Sequence, residues 1–330
     1  MNSLIPFASC LSDALDGLGP VSPVLVAPEA AMGCFLAEDM VLPQDIPARS
    51  EALRAGFAVS ALDLVGASPG APVPLTCTTQ FVPGQVLPQG ADAILPEEGL
   101  ERWGAMVDAI RPINPGEGAR LAGHDGRAGD RLAQAGTRVS PRHIMAAHLA
   151  GMDCLPIRRP RVALKMDAAP QRAFLRAWLT GLGAELCDTR PDMTLRMTKD
   201  HTHRLALSPA ETAWLSRKDA GLVVDLPARF DGLVAACLAL VLPILARLSG
   251  ARLRAETRPL ARKISSTVGL SELVLLGEEN GAWHPYPAGL LTLTGLARAY
   301  AFTVLPPESE GCAANTALSA TPLEQPIGYP

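Results

Sequence analysis

The sequence predicts a multidomain protein of mixed class, an α/β domain joined to β-rich parts. Three observations carry that expectation. Between residues 57 and 139, short apolar runs are broken by Gly and Pro every ~8–12 residues, the spacing of a β-rich domain. Residues 161–188 read as strand, helix, strand, a unit that implies a parallel sheet. The chain has 330 residues. At roughly 100–200 residues per domain, that makes two or three domains, or one large domain with appendages.

Composition sets the outer limits. Hydrophobic residues make up 48% and charged residues 19%, enough apolar material for packed cores, which excludes global disorder. Lys and Arg number 29 against 33 Asp and Glu, a net charge of −4, without the concentrated basic face of a nucleic-acid binder. Aromatic residues are 4%, too few for a base-stacking platform. The 29 glycines and 30 prolines imply many turns and argue against a simple helical bundle.

The elements follow in chain order. Residues 8–19 and 28–39 carry helical apolar spacing, around Leu11, Leu15 and Leu18, then Ala31, Phe35 and Leu36. Residues 41–47 read as extended, and 57–59, 73–78, 93–95 and 106–110 as short strands. The glycines at 116, 118, 123, 126 and 129 make the next stretch turn-dense. Ser140-Pro141 opens a helix that stops near Gly151. Residues 161–166 form a strand, 171–182 an amphipathic helix, and 184–188 a second strand. Further strands are expected at 193–197, 204–207 and 221–225, then a helix over 229–248. Strands at 271–276, 290–293 and 300–305 precede a tail, 309–330, read as coil. The expected domains are a helical linker and dimerisation domain (1–50 with 137–158), a β-rich insert (51–136), a shortened α/β domain (159–250), a small β domain (251–322) and a tail (323–330).

The seven cysteines, at 10, 34, 77, 154, 187, 237 and 312, are scattered with no CxxC spacing. They read as small buried hydrophobes of a reducing cytoplasm rather than as disulfides or zinc ligands. The N-terminus lacks the basic start of a signal peptide. The longest apolar stretch, 232–246, falls short of the ~20 residues of a spanning helix and reads as a buried core helix. The expected location is cytoplasmic, with no membrane and no nucleic acid.

Several segments, in order, carry a family resemblance. Residues 31–39 (AMGCFLAED) resemble A-x-G-x-x-L-A-E-D, and 87–94 (LPQGADAI) resemble P-x-G-A-D-A-V. Residues 116–125 (GEGARLAGHD) resemble G-x-N-I-R-x-x-G-E-D, and Gly129-Asp130, Gly136 and 140–144 (SPRHI) continue in the same manner. Residues 159–164 and 243–250 match the first strand and the last helix of the α/β part. Together they resemble the molybdopterin molybdenumtransferase family, bacterial MoeA and the gephyrin E domain. The resemblance implies an elongated dimer of four subdomains that inserts molybdenum into adenylylated molybdopterin, with the pterin at the carboxyl ends of a parallel sheet. The expected fold is therefore α/β plus β and MoeA-like, with a truncated pterin-binding-type domain, a β-rich insert and a small C-terminal β domain.

The motifs that the resemblance links to chemistry are altered. S-A-M-D-G-Y-A aligns with residues 52–58, where the carboxylate is replaced by Ala55. T-G-D-E aligns near 166–170, leaving Asp167 as its only carboxylate. G-G-x-S aligns with 198–202, which hold no glycine. K-P-G-K-P aligns with 208–212, where Ser208 and Glu211 stand and both lysines are lost. L-P-G-N-P aligns with 226–230 and keeps Leu226-Pro227 ahead of Arg229. A deletion is expected between Asp188 and Leu207. Phosphate loops need glycine for close backbone approach, and a glutamate in place of lysine reverses the local field.

The expectation is a MoeA-like protein of molybdenum-cofactor biosynthesis or delivery, a binding or assembly pseudoenzyme. The alternatives are an active molybdopterin molybdenumtransferase (or related pterin or nucleotide enzyme) with a rearranged site, and a structural partner of an active paralogue. Molybdopterin is the expected ligand, with magnesium or molybdate only if the chain is active. The expected partners are a second copy or an active paralogue, joined through 31–36 and 144–149, and a molybdoenzyme or cofactor-biosynthesis protein. The candidate ligand-binding residues are Asp92, Arg120, Asp125, Asp167, Ser208, Pro227 and Arg229, with no catalytic assignment. Asp92 is expected to cap a turn, and Arg120 to pair with Asp125. Arg229 either anchors an anion at a helix start or pairs with Asp225 or Asp231. Asp200, His201 and His203 read as an exposed turn rather than a metal site, Arg158, Arg159 and Arg161 as a solvated hinge, and Ser265-Ser266 as a turn.

Overall fold

The computed structural model describes residues 4–76, 79–104, 106–197, 204–218 and 221–323. The chain forms two compact units. The first comprises Met1–Asp39, Gln134–Met145 and Asp153–Pro330; the second, Met40–Ala133 and Ala146–Met152.

The first unit contains the expected parallel sheet. Its order is Glu185–Leu186, Arg161–Lys165, Met193–Met197, Gly221–Leu226, Trp214–Lys218. The first four strands are parallel, and Trp214–Lys218 is an antiparallel edge. The inner strands are apolar runs, as sheets covered on both faces require: Val162, Met193, Leu195 and Val224 are 0% exposed. The helix Ala169–Gly181 buries Leu175 and Leu179, one turn apart, against them. The run Phe230–Ser249 is helical throughout, with a π turn at Cys237–Val241. That turn lies just before Pro243, whose missing N–H cannot join the helical ladder. The run is long and apolar enough to cross a membrane, but 83% of its most apolar window is buried in the protein, which makes it a core helix.

A second, seven-stranded sheet also belongs to this unit, in the order Ile5–Pro6, Leu205–Ser208, Ser271–Glu279, Ala301–Leu305, Ala317–Pro322, Glu256–Pro259, with Ala282–Pro285 paired to Ser271–Glu279. The strand expected at 204–207 thus leaves the parallel sheet and runs parallel to Ser271–Glu279. On this sheet the Arg258 guanidinium lies over the rings of Trp283 (4.7 Å) and Tyr300 (5.5 Å). Glu256 and Glu278 neutralise it.

Several expected elements are corrected. Residues 28–39 are not a helix but a 3-10 turn, Pro28–Ala31, followed by the strand Phe35–Leu36. Pairing of Leu36 with Ile157 and Phe35 with Arg158 outweighs the helical spacing. Residues 290–293 are not a strand; Leu293–Arg298 is a short helix whose cap, Thr292, accepts the Gly295 N–H at 3.0 Å. The tail is not all coil, because Gly311–Cys312 and Ala317–Pro322 pair with Ile264–Ser265 and Glu256–Pro259. Within the segment 31–36, Ala31, Cys34 and Leu36 are 0–2% exposed, and Met32 is 45% exposed.

The second unit is β-rich. It holds the sheets Leu100–Trp103, Met106–Ala109, Val73–Pro74 and Gln80–Phe81, Gly56–Val59, Ala93–Leu95, plus two-stranded ribbons. Its small core includes Val59, Leu64, Leu95 and Ala109.

Leu195→Ala should test the parallel-sheet core. Removing a fully buried leucine costs about 2–5 kcal/mol, read as a lower urea midpoint at unchanged slope. A loss below about 1 kcal/mol would mean this strand is not buried on both faces.

Candidate functional site

The carboxyl ends of the parallel strands gather the charged groups of the first unit. Lys165, the last residue of its strand, places Nζ 2.7 Å from Asp188 Oδ1. That contact holds the exposed Asp188 carboxyl below the usual range. Arg196 and Asp225 are register partners on adjacent parallel strands. Asp225 is buried, and Arg196 satisfies both its oxygens, Nη2 lying 2.9 Å from Oδ2 and Nε closer still to Oδ1. The hydrogen bond to Asp225 pushes the Arg196 guanidinium pKa up.

Beyond Leu226, the chain turns through Pro227 and Ala228 into the buried helix. Arg229 precedes its first residue and forms a bidentate pair with Asp231, Nε to Oδ1 at 3.0 Å and Nη2 to Oδ2 at 2.5 Å. Asp231 Oδ1 also accepts the Gly232 N–H at 2.8 Å. The helix N-terminus, where unpaired N–H groups attract anions, therefore carries the chain's own carboxylate. The Arg229 contact, above all, holds the Asp231 carboxyl below the usual range.

Close backbone approach brings a second group of residues here. A Cβ at Gly232 would stand 2.8 Å from the Pro209 carbonyl oxygen and 2.9 Å from Pro227 Cβ. Glycine at 232 thus seats the Ser208-Pro209 turn on the helix start. Ser208 is the register partner of Glu272. That buried carboxylate accepts the Ser266 hydroxyl at 2.7 Å and the Thr267 N–H at 2.8 Å. A Cβ at Gly289 would lie 2.7 Å from Glu272 Oε1 and 3.0 Å from Ser208 Oγ. On the opposite wall, Gln171 donates to the Ala228 carbonyl at 3.3 Å, and its buried Oε1 lacks a partner.

The structure thus gathers Asp167, Ser208, Pro227 and Arg229 at one end of the first unit. Asp167 is exposed just beyond the strand Arg161–Lys165. Asp92, Arg120 and Asp125 belong to the second unit. Asp92 Oδ1 accepts the Ala61 N–H at 2.7 Å, the turn-bracing role expected of it. Arg120 Nη1 stands 3.3 Å from Asp125 Oδ2 and 3.4 Å from Glu51 Oε1, so that ion pair also forms. Asp200, His201 and His203 lie outside the described residues. Among the described residues, no group of three or more His, Cys, Asp or Glu could hold a metal. Sequence reasoning missed Gln171, Asp188, Arg196 and Glu272, whereas pairing with Asp231 was among the roles expected of Arg229 and is the one that forms.

Comparison with known proteins follows the same outline. The family model for the MoeA N-terminal region, domains I and II, matches residues 6–151. A molybdopterin molybdenumtransferase of Synechococcus elongatus is 28% identical over 142 residues, 37% of this chain and 35% of that protein. Molybdopterin molybdenumtransferase 2 of Mycobacterium tuberculosis is 28% identical over 153 residues, 41% and 38% of the two chains. The molybdopterin biosynthesis MoeA protein of Pyrococcus horikoshii superposes with a TM-score of 0.74 at 20% identity, over 97% of this chain and 99% of that one. The chain has a MoeA-like fold, and its residues 6–151 match the MoeA N-terminal region. Its sequence match spans only about a third of the length of those curated relatives, whereas the likeness to the P. horikoshii structure spans the whole MoeA-like fold. A molybdenum cofactor biosynthesis protein of Pyrococcus furiosus superposes with a TM-score of 0.61 at 16% identity, over 97% of this chain.

In this MoeA-like chain, Lys165, Arg196 and Arg229 at the sheet's carboxyl edge already hold carboxylates, and Arg172 donates to the Met166 carbonyl. Asp231 gives a direct reading of one pair. Its carboxyl is depressed in the folded state, so the pair stabilises fully above the unfolded pKa of about 3.9 and loses its effect as pH falls through the folded value. Asp231→Asn should therefore show a smaller loss of urea stability than wild type between neutral pH and pH 3, and be weaker at neutral pH by under about 1 kcal/mol, because Arg229 is largely exposed. Parallel acid limbs would mean the pair is absent in solution.

Proposed function

We propose that the protein acts in molybdenum-cofactor biosynthesis or delivery as a MoeA-like binding or assembly protein without molybdenumtransferase turnover. The observation that carries this reading is the self-pairing at the sheet's carboxyl edge. An adenylylated pterin is an anion, and its phosphates need unspent cations and open backbone N–H groups. Arg229 is instead bound to Asp231, Arg196 to Asp225, and Lys165 to Asp188. Ser208 and Glu211 replace the lysines of the family pattern, and Glu211 adds negative charge beside Arg229. The described residues at this edge do not fit the anionic groups of that substrate.

The assembly role has its own support. Leu25 (69%), Met32 (45%) and Met145 (62%) are large exposed apolar residues of the first unit. Such residues favour a partner that covers them, either a second copy or a MoeA-like paralogue with an intact site. Cytoplasmic location belongs to the same proposal.

In a defined reconstitution, the protein should give little or no molybdate-dependent cleavage of adenylylated molybdopterin beside an intact homologue. Comparable turnover would favour the alternative, an active enzyme with a rearranged site. Light scattering at micromolar concentration should return twice the chain mass, or a mass that doubles only when the paralogue is added. A monomer in both cases removes the assembly reading.

A further inference from the structure

The N-terminal helix Phe7–Leu15 lies beside the edge strand Trp214–Lys218. A cavity of about 250 Å³ opens between them. This is just under the roughly 300–1,000 Å³ of drug-sized pockets, room for one small molecule. Its walls are apolar where Ile5, Ala14, Leu215 and Leu222 face it.

The polar groups around the cavity are mostly acceptors. Asp13 is exposed at the rim and makes no hydrogen bond or ion pair among the described residues. Ser216, on the strand side, has a buried hydroxyl oxygen with no partner. Cys10 is buried and bonded to the Leu215 backbone; burial first, and then Asp13, push its thiol up, so it stays protonated and adds no anion. Among the described lining residues, the cation is Arg217, and it is already committed: its Nη2 donates to the carbonyls of Ala14 (3.1 Å) and Asp16 (2.7 Å), closing the helix C-terminus. That end of the helix carries partial negative charge. The cavity thus couples apolar walls to an unpartnered carboxylate at the electronegative end of a helix.

We infer that this cavity is a binding site for a small, flat organic cation of the amidine or guanidine type, its apolar body inside and its N–H edge on Asp13. An amidinium offers two parallel N–H donors, the geometry a carboxylate takes up bidentately. A carboxylate or phosphate ligand is disfavoured, because it would meet Asp13 and find Arg217 occupied. The site is separate from the sheet's carboxyl edge, and it stands or falls independently of the proposed function.

The test uses the full chain and benzamidine as the probe, titrated by calorimetry, with neutral benzamide as its isosteric control. Wild type should bind one benzamidine saturably in the millimolar range or tighter. Benzamide and the Asp13→Asn variant should each weaken binding by about tenfold or more, the loss of one charge-assisted contact. Asp13 is exposed, so Asp13→Asn keeps the fold, which an unchanged melting temperature confirms. Ala14→Met, which fills the cavity from its helix wall, should abolish binding. No saturable binding by wild type, equal affinity for benzamide, or undiminished binding to Asp13→Asn each overturns the inference.

Discussion

The helix Phe230–Ser249 is apolar on every side, and the first unit is arranged around that fact. Ala235, Ala236, Cys237, Leu240, Val241 and Ile244 are 0% exposed. A helix of this kind offers no polar face to solvent, so its polar obligations concentrate at its ends. At the C-terminus, Ser249 turns its hydroxyl back to the Leu245 carbonyl at 2.7 Å. At the N-terminus, Asp231 takes the Gly232 N–H and Arg229 takes Asp231. The same burial requires Gly232, because the Ser208-Pro209 turn packs onto that first turn with no room for a Cβ. One apolar element thus fixes where the second sheet begins, how the 226–230 turn runs and which group occupies the helix's anion seat.

Much of this fold was legible from periodicity. The strands Arg161–Lys165, Met193–Met197 and Gly221–Leu226 fall within a residue of their expected spans, and so does the long helix. Buried parallel strands and buried helices write their burial as continuous apolar runs, which survive without knowledge of partners. The edge strand of the parallel sheet and the strands of the C-terminal sheet were harder. Trp214–Lys218, Glu256–Pro259 and Ala282–Pro285 carry charged or polar residues on an exposed side, and Ala317–Pro322 is built of small residues. Pairing with a neighbour, rather than intrinsic pattern, makes them strands. The lost helix at 28–39 has the same cause, since its helical spacing competed with a ready partner in Leu155–Arg158.

The site was legible in one sense and not in another. Motif comparison drew attention to Asp167, Ser208, Pro227 and Arg229, and the fold does bring them to one end of a unit. It could not reveal which groups they meet. Arg196 and Asp225 are nearly thirty residues apart and become partners only through parallel register. Glu272 lies in an apolar stretch of sequence and gains meaning only beside Ser208, Ser266 and Gly289. Such contacts are decided by topology, and no local spacing encodes them.

Register and substitution also act together at the altered loops. In the family pattern resembled here, the turn after Leu205–Ser208 carries lysines; in this chain it carries Ser208 and Glu211. Taken alone, that exchange removes positive charge. In the folded chain, Glu211 also lies close enough to Arg229 to favour its charged form, adding to the stronger hold of Asp231. Arg229, Asp231 and Glu211 together carry one net negative charge where the family pattern places cations. A carboxylate from within the chain is always present, whereas a ligand is not, so the exposed Arg229 side chain stays paired with Asp231. Asp231 holds Arg229 directly and Glu211 favours its charge from farther off, so a phosphate arriving at Arg229 would have to displace Asp231 and approach Glu211. The sign change at residue 211 and the capture of Arg229 are therefore one electrostatic arrangement, set by the close packing that Gly232 permits.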